Sequence, residues 1–176
     1  MLKQPKTRAD NTLRIGVISD THGLFDEAIP SIFDGVDAII HAGDIGAIEI
    51  IRRLQQIAPV FAVEGNNDSF GEFPEERTEE LAGHRLIIRH IFGELHQLRQ
   101  RDRHMVERIQ PDVLVFGHSH RPYQQMLGKT MLFNPGSAGP RRFSLPRTAG
   151  MLTLRRSGVE AVIINLHPSD GKRENK

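Results

Sequence analysis

Cysteine and tryptophan are both absent from the 176 residues of this chain. Without cysteine the chain forms no disulfide and offers no thiolate to a metal ion. Any bound metal must therefore be held by oxygen and imidazole nitrogen. Such ligands suit hard or borderline divalent cations, and we expect Mn²⁺ first, with Fe²⁺, Zn²⁺, Ni²⁺ or Mg²⁺ as alternatives.

Long apolar segments and a strong net charge are also lacking. No apolar run approaches the roughly 20 residues that span a bilayer, and residues 1–11 lack the apolar centre of a secretory signal, so we expect a cytoplasmic protein without membrane contact. The 23 basic and 22 acidic side chains give a formal net charge of +1. Since this charge provides no broad field, nucleic acid is not expected as a stable partner. The sequence leaves open whether the chain forms a homo-oligomer.

Length and composition predict one globular domain. A hydrophobic fraction of 38% and a charged fraction of 26% are ordinary for a globular chain. We expect residues 12–167 to form this domain, and residues 1–11 and 168–176 to be flexible tails.

Apolar runs alternate with helical spacing in the first half of the chain. Short apolar runs predict buried strands over 13–19, 36–40, 60–63 and 113–116, and helical spacing predicts helices over 24–33, 48–57 and 94–109. This alternation predicts a parallel sheet with crossover helices. Paired runs at 77–81 and 85–88, 123–127 and 130–133, and 151–155 and 159–164 predict antiparallel hairpins. The predicted fold class is α/β, with two packed sheets flanked by helices.

Residues that can bind metal follow several of these predicted strands and hairpins. They are Asp20, His22, Asp44, Asn66, His90, His118 and His120. Because loops at the carboxyl ends of parallel strands converge, we expect one pocket to hold them all. In an extended segment residues i and i+2 point the same way, so Asp20 with His22, and His118 with His120, could each chelate one ion. Asp44 is the candidate bridge, since a carboxylate can bind two cations at once.

Each residue also has an ordinary explanation. Asp20 or Asp44 alone could cap a helix, and Asn66 could serve a turn. A single histidine is more often a surface or loop residue than a ligand. We favour metal binding because these residue types recur in succession at strand ends. Gly43 and Gly65, which precede Asp44 and Asn66, would allow close backbone approach or positive φ.

In this order, Asp20-x-His22, Gly43-Asp44, Gly65-Asn66, His90 and Gly117-His118-Ser119-His120 resemble the motifs of the calcineurin-like metallophosphoesterases. The short chain, Asn134-Pro135-Gly136-Ser137 and Pro140-Arg141 are similar to the small prokaryotic YfcE-like phosphodiesterase branch. The resemblance implies a four-layer αββα sandwich of two mainly mixed β-sheets. It also implies phosphodiester hydrolysis, in which a water or hydroxide that bridges two divalent metal ions attacks phosphorus.

The resemblance further implies a role for each residue. One metal would be held by Asp20, His22, Asp44 and His120. The other would be held by Asp44, Asn66, His90 and His118. Asn66 would bind a phosphate oxygen and His118 would help to orient the attack. Asp68 is expected either to fix a ligand imidazole or to form a turn.

Arginines and two departures from the family pattern bear on the substrate. Arg141 and Arg142 are candidates for binding an anionic substrate, with a structural role equally open. Asn67 stands where many family members have a histidine that protonates the leaving group, and Arg121 or Arg142 could compensate electrostatically. Ile91 stands where the family usually has glycine, and this bulkier side chain could narrow the pocket or shift His90.

The other histidines and the basic segment receive ordinary interpretations. His41 is expected either to support the metals from behind or to be a plain buried histidine. The remaining histidines are expected at the surface: His84, His96, His104 and His167. The arginine-rich segment 99–108 is expected to be a solvated helix face.

Three alternative functions stay open. The first is a non-catalytic scaffold that binds proteins, like the retromer subunit that shares this fold but has lost metal ligands. The others are a phosphomonoesterase and a dinucleotide polyphosphate hydrolase. The natural substrate is not identified by the sequence.

Overall fold

The computed structural model describes residues 12–94, 96, 98–142 and 144–166. The elements follow the chain as β1 (Leu13–Ile18), α1 (Ile29–Ile32), β2 (Ala38–His41), α2 (Ile48–Ile57), β3 (Val60–Ala62), β4 (Glu76–Leu81), β5 (His84–Arg89), α3 (Gln100–Ile109), β6 (Val113–Val115), β7 (Tyr123–Leu127), β8 (Thr130–Asn134), β9 (Thr148–Arg155) and β10 (Gly158–Asn165). The predicted tails and His167 lie outside the described residues, so those expectations stay predictions.

The strands form two sheets of five strands each. The first has the order β10-β9-β1-β2-β3, and the second has the order β4-β5-β6-β8-β7. In the first sheet β1, β2 and β3 are parallel, while β9 is antiparallel to both β1 and β10. In the second sheet β5, β6 and β8 are parallel, and hairpins add β4 and β7. The predicted pair of mixed sheets is therefore confirmed.

The apolar side chains separate into layers. Leu86 and Ile88 of β5 belong to a core that lies between the two sheets, whereas Ile87 faces the cluster that contains Val106 of α3. This alternation is the period of two that a strand covered on both faces requires. A further cluster packs α1 and α2 against the first sheet, for example through Leu54. The order of layers is αββα, as predicted.

Two predicted helices are wrong in extent. The first covers only Ile29–Ile32, because Asp26 turns the chain before it: its side chain accepts the N–H of Ala28 at 2.8 Å. The third predicted helix begins at Gln100 instead of residue 94. Leu98, just before it, packs its side chain against the second sheet. Along the described ranges no helix is both long and apolar enough to cross a bilayer.

The surface prediction is wrong for His84. This residue begins β5, its side chain is only 11% exposed, and Nε2 lies 2.7 Å from the carbonyl oxygen of Arg155. His84 thus joins the second sheet to the β9–β10 hairpin of the first, a pairing across 71 residues that local sequence does not signal. His96 and His104 are exposed, as predicted.

Candidate metal centre

The loops that follow β1, β2, β3, β5 and β6 meet at one edge of the sandwich. The backbone N–H of His118, after β6 of the second sheet, donates to Asp20 Oδ2, after β1 of the first sheet, over 3.1 Å. At the same edge of the second sheet, the N–H of Gly117, after β6, donates to the carbonyl of His90, after β5, over 3.0 Å. Both sheets therefore contribute side chains to one site, as expected for loops at carboxyl ends of parallel strands.

One cluster of potential ligands consists of Asp20, His22 and His120. His120 Nε2 lies 3.2 Å from Asp20 Oδ1 and 3.3 Å from His22 Nε2. Asp20 and His120 are buried, and the side chain of His22 is 15% exposed. Within the described part of the chain, Asp20 Oδ1 has no hydrogen-bond partner. A buried carboxylate oxygen in that state needs a positive charge nearby.

A second cluster consists of Asp20, Asp44 and His90. His90 Nε2 lies 3.4 Å from Asp44 Oδ1 and 4.0 Å from Asp20 Oδ1. His90 Nδ1 lies 2.8 Å from the carbonyl oxygen of Ala42, which can only accept, so Nδ1–H donates and the other nitrogen faces the carboxylates. Among the described residues, His90 Nε2 has no hydrogen-bond partner either.

Asp44 reaches both clusters. Its Oδ1 is 3.4 Å from His90 Nε2, and its Oδ2 is 3.8 Å from His22 Nε2. One oxygen towards each cluster is the disposition that a bridging carboxylate needs.

The donor set fits divalent cations. Buried carboxylate oxygens and imidazole nitrogens converge, and two of these atoms, Asp20 Oδ1 and His90 Nε2, lack other partners among the residues described. Oxygen and imidazole ligands are those that Mn²⁺, Zn²⁺ or Fe²⁺ accept.

His118 and Asn66 lie at the margin of the clusters. The His118 ring centroid is 5.3 Å from that of His90, and the His118 side chain is exposed. Asn66 is exposed and lines a cavity together with His90. The structure thus brings five predicted ligands into the two clusters, namely Asp20, His22, Asp44, His90 and His120, and places the other two beside them.

The backbone of the site is strained. Asp20, His22, Asp44, His118 and His120 have φ values of 53°, 45°, 53°, 68° and 58°. This left-handed region is unfavourable for residues other than glycine and is typical of functional sites. The extended geometry predicted for the two ligand pairs is therefore wrong, because the chain turns at each of them.

Two glycines allow the loops to come this close. A Cβ on Gly43, where φ is +90°, would lie 2.7 Å from His90 Nδ1. A Cβ on Gly65 would lie 2.2 Å from both the backbone N and Oδ1 of Asp44. The close approach predicted at these glycines is confirmed, with positive φ at Gly43.

Asn67 and Asp68 both hold the loops. Asn67 Nδ2 donates to Asp44 Oδ2 over 2.6 Å, and its backbone N–H donates to Asp44 Oδ1 over 3.0 Å. The Asp68 carboxylate accepts the backbone N–H groups of Ile45, Gly46 and Gly65 at 3.0, 2.9 and 2.9 Å. These bonds match the turn-forming alternative for Asp68.

His41 is fully buried behind the loops. Gly43 N–H donates to His41 Nδ1 over 3.3 Å, so the proton of the neutral ring is on Nε2, which donates to Thr21 Oγ1 over 2.9 Å. The Thr21 hydroxyl donates in turn to the carbonyl of Ile45 over 2.9 Å. Burial lowers the pKa of His41 to about 4, against the opposing charge of Asp68. His41 therefore supports the loop backbone as a neutral group.

Charges within the site shift the other titrating groups. Burial alone would raise the pKa of Asp44, but the adjacent His90 and the hydrogen bonds from Asn67 hold it well below its ordinary value. Burial would lower the pKa of His90, yet the neighbouring carboxylates of Asp44 and Asp20 raise it. Both shifts favour the charged form, an ionised Asp44 and a protonated His90. The space between Asp44 and Asp20 therefore favours a positive charge.

Three arginines and Ile91 are the remaining residues that were predicted to bear on the substrate. Burial and then the charge of Arg142 lower the pKa of His22, so this arginine acts electrostatically on that candidate ligand. Arg141 is exposed, and its Nε lies 3.5 Å from the carbonyl oxygen of Leu145, a local contact that fits its structural alternative. Arg121 is exposed. Ile91 is 41% exposed and lines the cavity beside His90.

Several supporting residues were missed from the sequence. Ser19 Oγ donates to Asp20 Oδ2 over 2.7 Å, and Ser137 Oγ donates to the Asp20 carbonyl over 3.0 Å. Asn134 Nδ2 donates to the carbonyl of Gly117 over 2.8 Å. From the sequence, the segment 134–137 could be recognised only as a motif. Its hydrogen bonds join residues that are 17 and 117 positions apart.

Comparisons with known proteins agree with this geometry. Residues 13–157 match the calcineurin-like phosphoesterase superfamily domain. A probable metallophosphoesterase of Methanothermobacter thermautotrophicus is 36% identical over 161 residues, which cover 85% of this chain and 91% of that protein. Phosphodiesterase YfcE of Escherichia coli K12 is 32% identical over 115 residues, 59% of this chain and 58% of YfcE.

Solved structures share the fold. A conserved uncharacterized protein of Streptococcus pneumoniae TIGR4 superposes with a TM-score of 0.69 at 24% identity, over 88% of this chain and 90% of that one. Vps29 of Entamoeba histolytica complexed with Zn²⁺ superposes with a TM-score of 0.69 at 16% identity, over 88% of this chain and all of that one. The sequence match over residues 13–157 and the shared fold show that the chain belongs to the calcineurin-like phosphoesterase superfamily.

Proposed function

We propose that this protein hydrolyses phosphodiesters with the aid of two divalent cations, Mn²⁺ being the expected metal. The observation that carries the proposal is the convergence of Asp20, Asp44 and His90 with buried ligand atoms, Asp20 Oδ1 and His90 Nε2, that have no other partner among the described residues. When bound, two such cations would offset the charge of the phosphate and lower the pKa of a water, so that it could act as the nucleophile.

The ligands would divide between two ions that share Asp44. Asp20, His22, Asp44 and His120 would hold the first ion. Asp44, Asn66, His90 and His118 would hold the second. The two contacts of Asp44, one oxygen towards His22 and one towards His90, support this division.

The exposed residues of the site act on the substrate. Asn66 and His118 are both exposed at the opening, where the Asn66 amide can donate to a phosphate oxygen and His118 can orient the attack. Arg142, whose charge reaches His22, attracts the anionic substrate at the other end, with Arg141 beside it in the chain. Asp68 contributes indirectly, since it holds the backbone of residues 45, 46 and 65.

A metal titration followed by hydrolysis of bis(4-nitrophenyl) phosphate tests this function. We expect activity to rise with Mn²⁺ and to level off near two ions per chain. The Asp44→Asn variant removes the shared charge, so its kcat should fall by about 100-fold or more. The matched control is His104→Asn, at an exposed position on α3. Full turnover by Asp44→Asn would refute the bridging role.

The same experiment separates the competing functions. The fold shared with Vps29 supports a protein-binding scaffold as the second candidate. A folded protein that takes up no metal would favour that scaffold. A parallel assay with 4-nitrophenyl phosphate and a dinucleotide polyphosphate ranks diesterase, monoesterase and polyphosphate hydrolase activity.

A further inference from the structure

A cavity of about 620 Å³ opens beside the candidate metal ligands. Gly65, Asn66, His90 and Ile91 are part of its lining. The other lining residues are charged: Glu64, Glu75, Glu76, Arg89, Arg99 and Arg101. The cavity therefore connects the proposed metal centre with a group of arginines that the mechanism above does not use.

These arginines share one buried carboxylate. Asp102 is 4% exposed, and its Oδ2 accepts from Arg99 Nε over 3.1 Å. Its Oδ1 lies 3.7 Å from Arg101 Nε and 3.7 Å from Arg89 Nη1. The predicted solvated face of this helix is thus wrong at Asp102, which faces the arginines from inside.

Among the described residues, most N–H donors of Arg99 and Arg101 have no hydrogen-bond acceptor. A guanidinium has five N–H donors in a fixed fork. The contacts of Arg99 and Arg101 with Asp102 are made through Nε, and these side chains are 55% and 68% exposed. Asp102 therefore hydrogen-bonds the Arg99 guanidinium and attracts that of Arg101 over 3.7 Å, and both arginines line the cavity.

The acidic side chains of the cavity are largely engaged elsewhere. Glu64 Oε1 accepts the backbone N–H groups of residues 72 and 73 at 3.1 and 3.3 Å. Glu76 Oε2 lies 3.5 Å from Arg89 Nη1. The lining holds three arginines and three glutamates, and Asp102 lies against the arginines, so the formal charge of this group is −1 (three minus four). An anion would therefore be bound by individual guanidinium donors and not by net charge. Glu75 is exposed.

Guanidinium groups thus lie on the cavity side of the proposed metal centre. Arg89, Arg99 and Arg101 line the cavity together with His90, and the charge of Arg142 acts on His22. A phosphodiester has two ester arms that leave phosphorus in different directions. With the phosphate at the centre, one arm can enter the cavity.

We propose that this cavity binds an anionic group, a phosphate or a carboxylate, carried by one ester arm of the substrate. Arg99 and Arg101 bind the anion, and Asp102 holds the two guanidinium groups in position. Guanidinium groups recognise such anions through paired N–H donors, which a lysine does not reproduce. The inference rests on the proposed function and narrows its substrate to diesters with a second negative charge.

The test compares two chromogenic diesters that lose 4-nitrophenol and differ only in the other arm. These are 4-nitrophenyl methyl phosphate and 4-nitrophenyl 2-phosphonoethyl phosphate. In Mn²⁺-loaded Arg99→Gln/Arg101→Gln protein, the ratio of kcat/KM for the anionic diester to that for the methyl diester should fall by about tenfold or more, mainly through KM. A ratio equal to that of the wild type would overturn the proposal.

Controls exclude effects of net charge and folding. Arg52→Gln/Arg156→Gln removes the same two charges at exposed positions outside the cavity lining and should keep the wild-type ratio. Circular dichroism monitors folding. If the double cavity variant does not fold, Arg101→Gln alone, at the more exposed arginine, gives the same comparison.

A binding measurement keeps the two proposals separable. If the wild type hydrolyses neither diester, the proposed function fails, and calorimetric titration of ethylphosphonate into metal-free protein decides the subsite alone. Binding to the wild type that weakens about tenfold or more in the cavity variant supports the subsite. Equal binding, or none, overturns it.

Discussion

At the scale of single residues, Asn67 departs from the family pattern and also holds the Asp44 carboxylate in the site. Its side-chain amide and its backbone N–H donate to the two oxygens of Asp44. Each carboxylate oxygen has a second lone pair, so these bonds leave Asp44 able to bind cations. Asn67 therefore orients the proposed bridging ligand in the position where other family members have a histidine.

Replacing Asn67 by alanine should weaken metal binding. The variant keeps the backbone bond but loses the side-chain bond to Asp44, and loss of an outer hydrogen bond to a ligand lowers metal affinity by about 10 to 100-fold. Calorimetric titration with Mn²⁺ measures the change, and Asn165→Ala, at an exposed strand end, is the matched control. Equal affinities in the two variants would show that the Asn67 side chain does not orient Asp44.

His41 makes the stability of the metal-free protein depend on pH. Burial lowers its pKa from 6.5 to about 4. Between these values the unfolded chain takes up a proton that the folded protein does not, so the contribution is complete above about pH 6.5 and is lost as pH falls towards 4.

The His41→Gln variant should reduce this dependence. Glutamine keeps a donor for Thr21 but does not titrate. Between pH 7 and pH 4.5, the wild type should lose roughly 2 to 3 kcal/mol more unfolding free energy than the variant. Urea unfolding of metal-free protein at both pH values measures it, and parallel losses would contradict a buried neutral His41.

At the scale of elements, the loop after β3 needs glycine at position 65 because a Cβ there would collide with Asp44, and not because its φ is positive. A Cβ on Gly65 would lie 2.2 Å from two atoms of Asp44. By contrast, Gly71 has a φ of +68° and nothing within 4 Å of its Cβ position. Alanine at Gly65 therefore tests the steric contact with Asp44, and alanine at Gly71 tests the strain of a positive φ.

Gly65→Ala should destroy metal binding, whereas Gly71→Ala should retain it. Overpacking against Asp44 displaces the loop and costs about 1 to 3 kcal/mol or more, while alanine at Gly71 costs about 1 to 2 kcal/mol of left-handed strain. Mn²⁺ affinity distinguishes the variants although both lose stability. Wild-type affinity in Gly65→Ala would mean that the contact with Asp44 can relax freely.

The strands, and the convergence of five candidate ligands, could be predicted from the sequence, whereas helix limits and backbone torsions could not. The strand patterns were readable because burial on two faces gives continuous apolar runs, as in β1 and β6. The helix at 29–32 is short because of a local Asp26 contact that competes with helix formation.

The site was only partly readable for a related reason. Ligand types at strand ends indicate where a metal can bind, and the order of motifs points to the family. The positive φ values and the contacts of Asn134 and Ser137 arise from loops packed together across the fold. The cavity arginines resembled a solvated face because the sequence does not show that Asp102 is buried.

At the scale of the whole molecule, the candidate metal centre lies where the two sheets meet. Asp20 and Asp44 follow strands of the first sheet, and His90 and His120 follow strands of the second. Without cations, Asp20 Oδ1 and His90 Nε2 are buried with no hydrogen-bond partner among the described residues, which favours opening of this edge. Bound cations would join the two sheets.

Metal should therefore raise the thermal stability of the whole chain. A ligand that binds only the folded state adds about 2.7 kcal/mol at a free concentration of 100 times Kd, so the Tm should rise steadily with Mn²⁺. Asp44→Asn should shift much less, because it loses the charge shared by both clusters, while His104→Asn should follow the wild type. Calorimetric scans across an Mn²⁺ series measure these shifts. A Tm that is independent of Mn²⁺ in the wild type would show that the buried acids and imidazoles of the two sheets do not hold a metal.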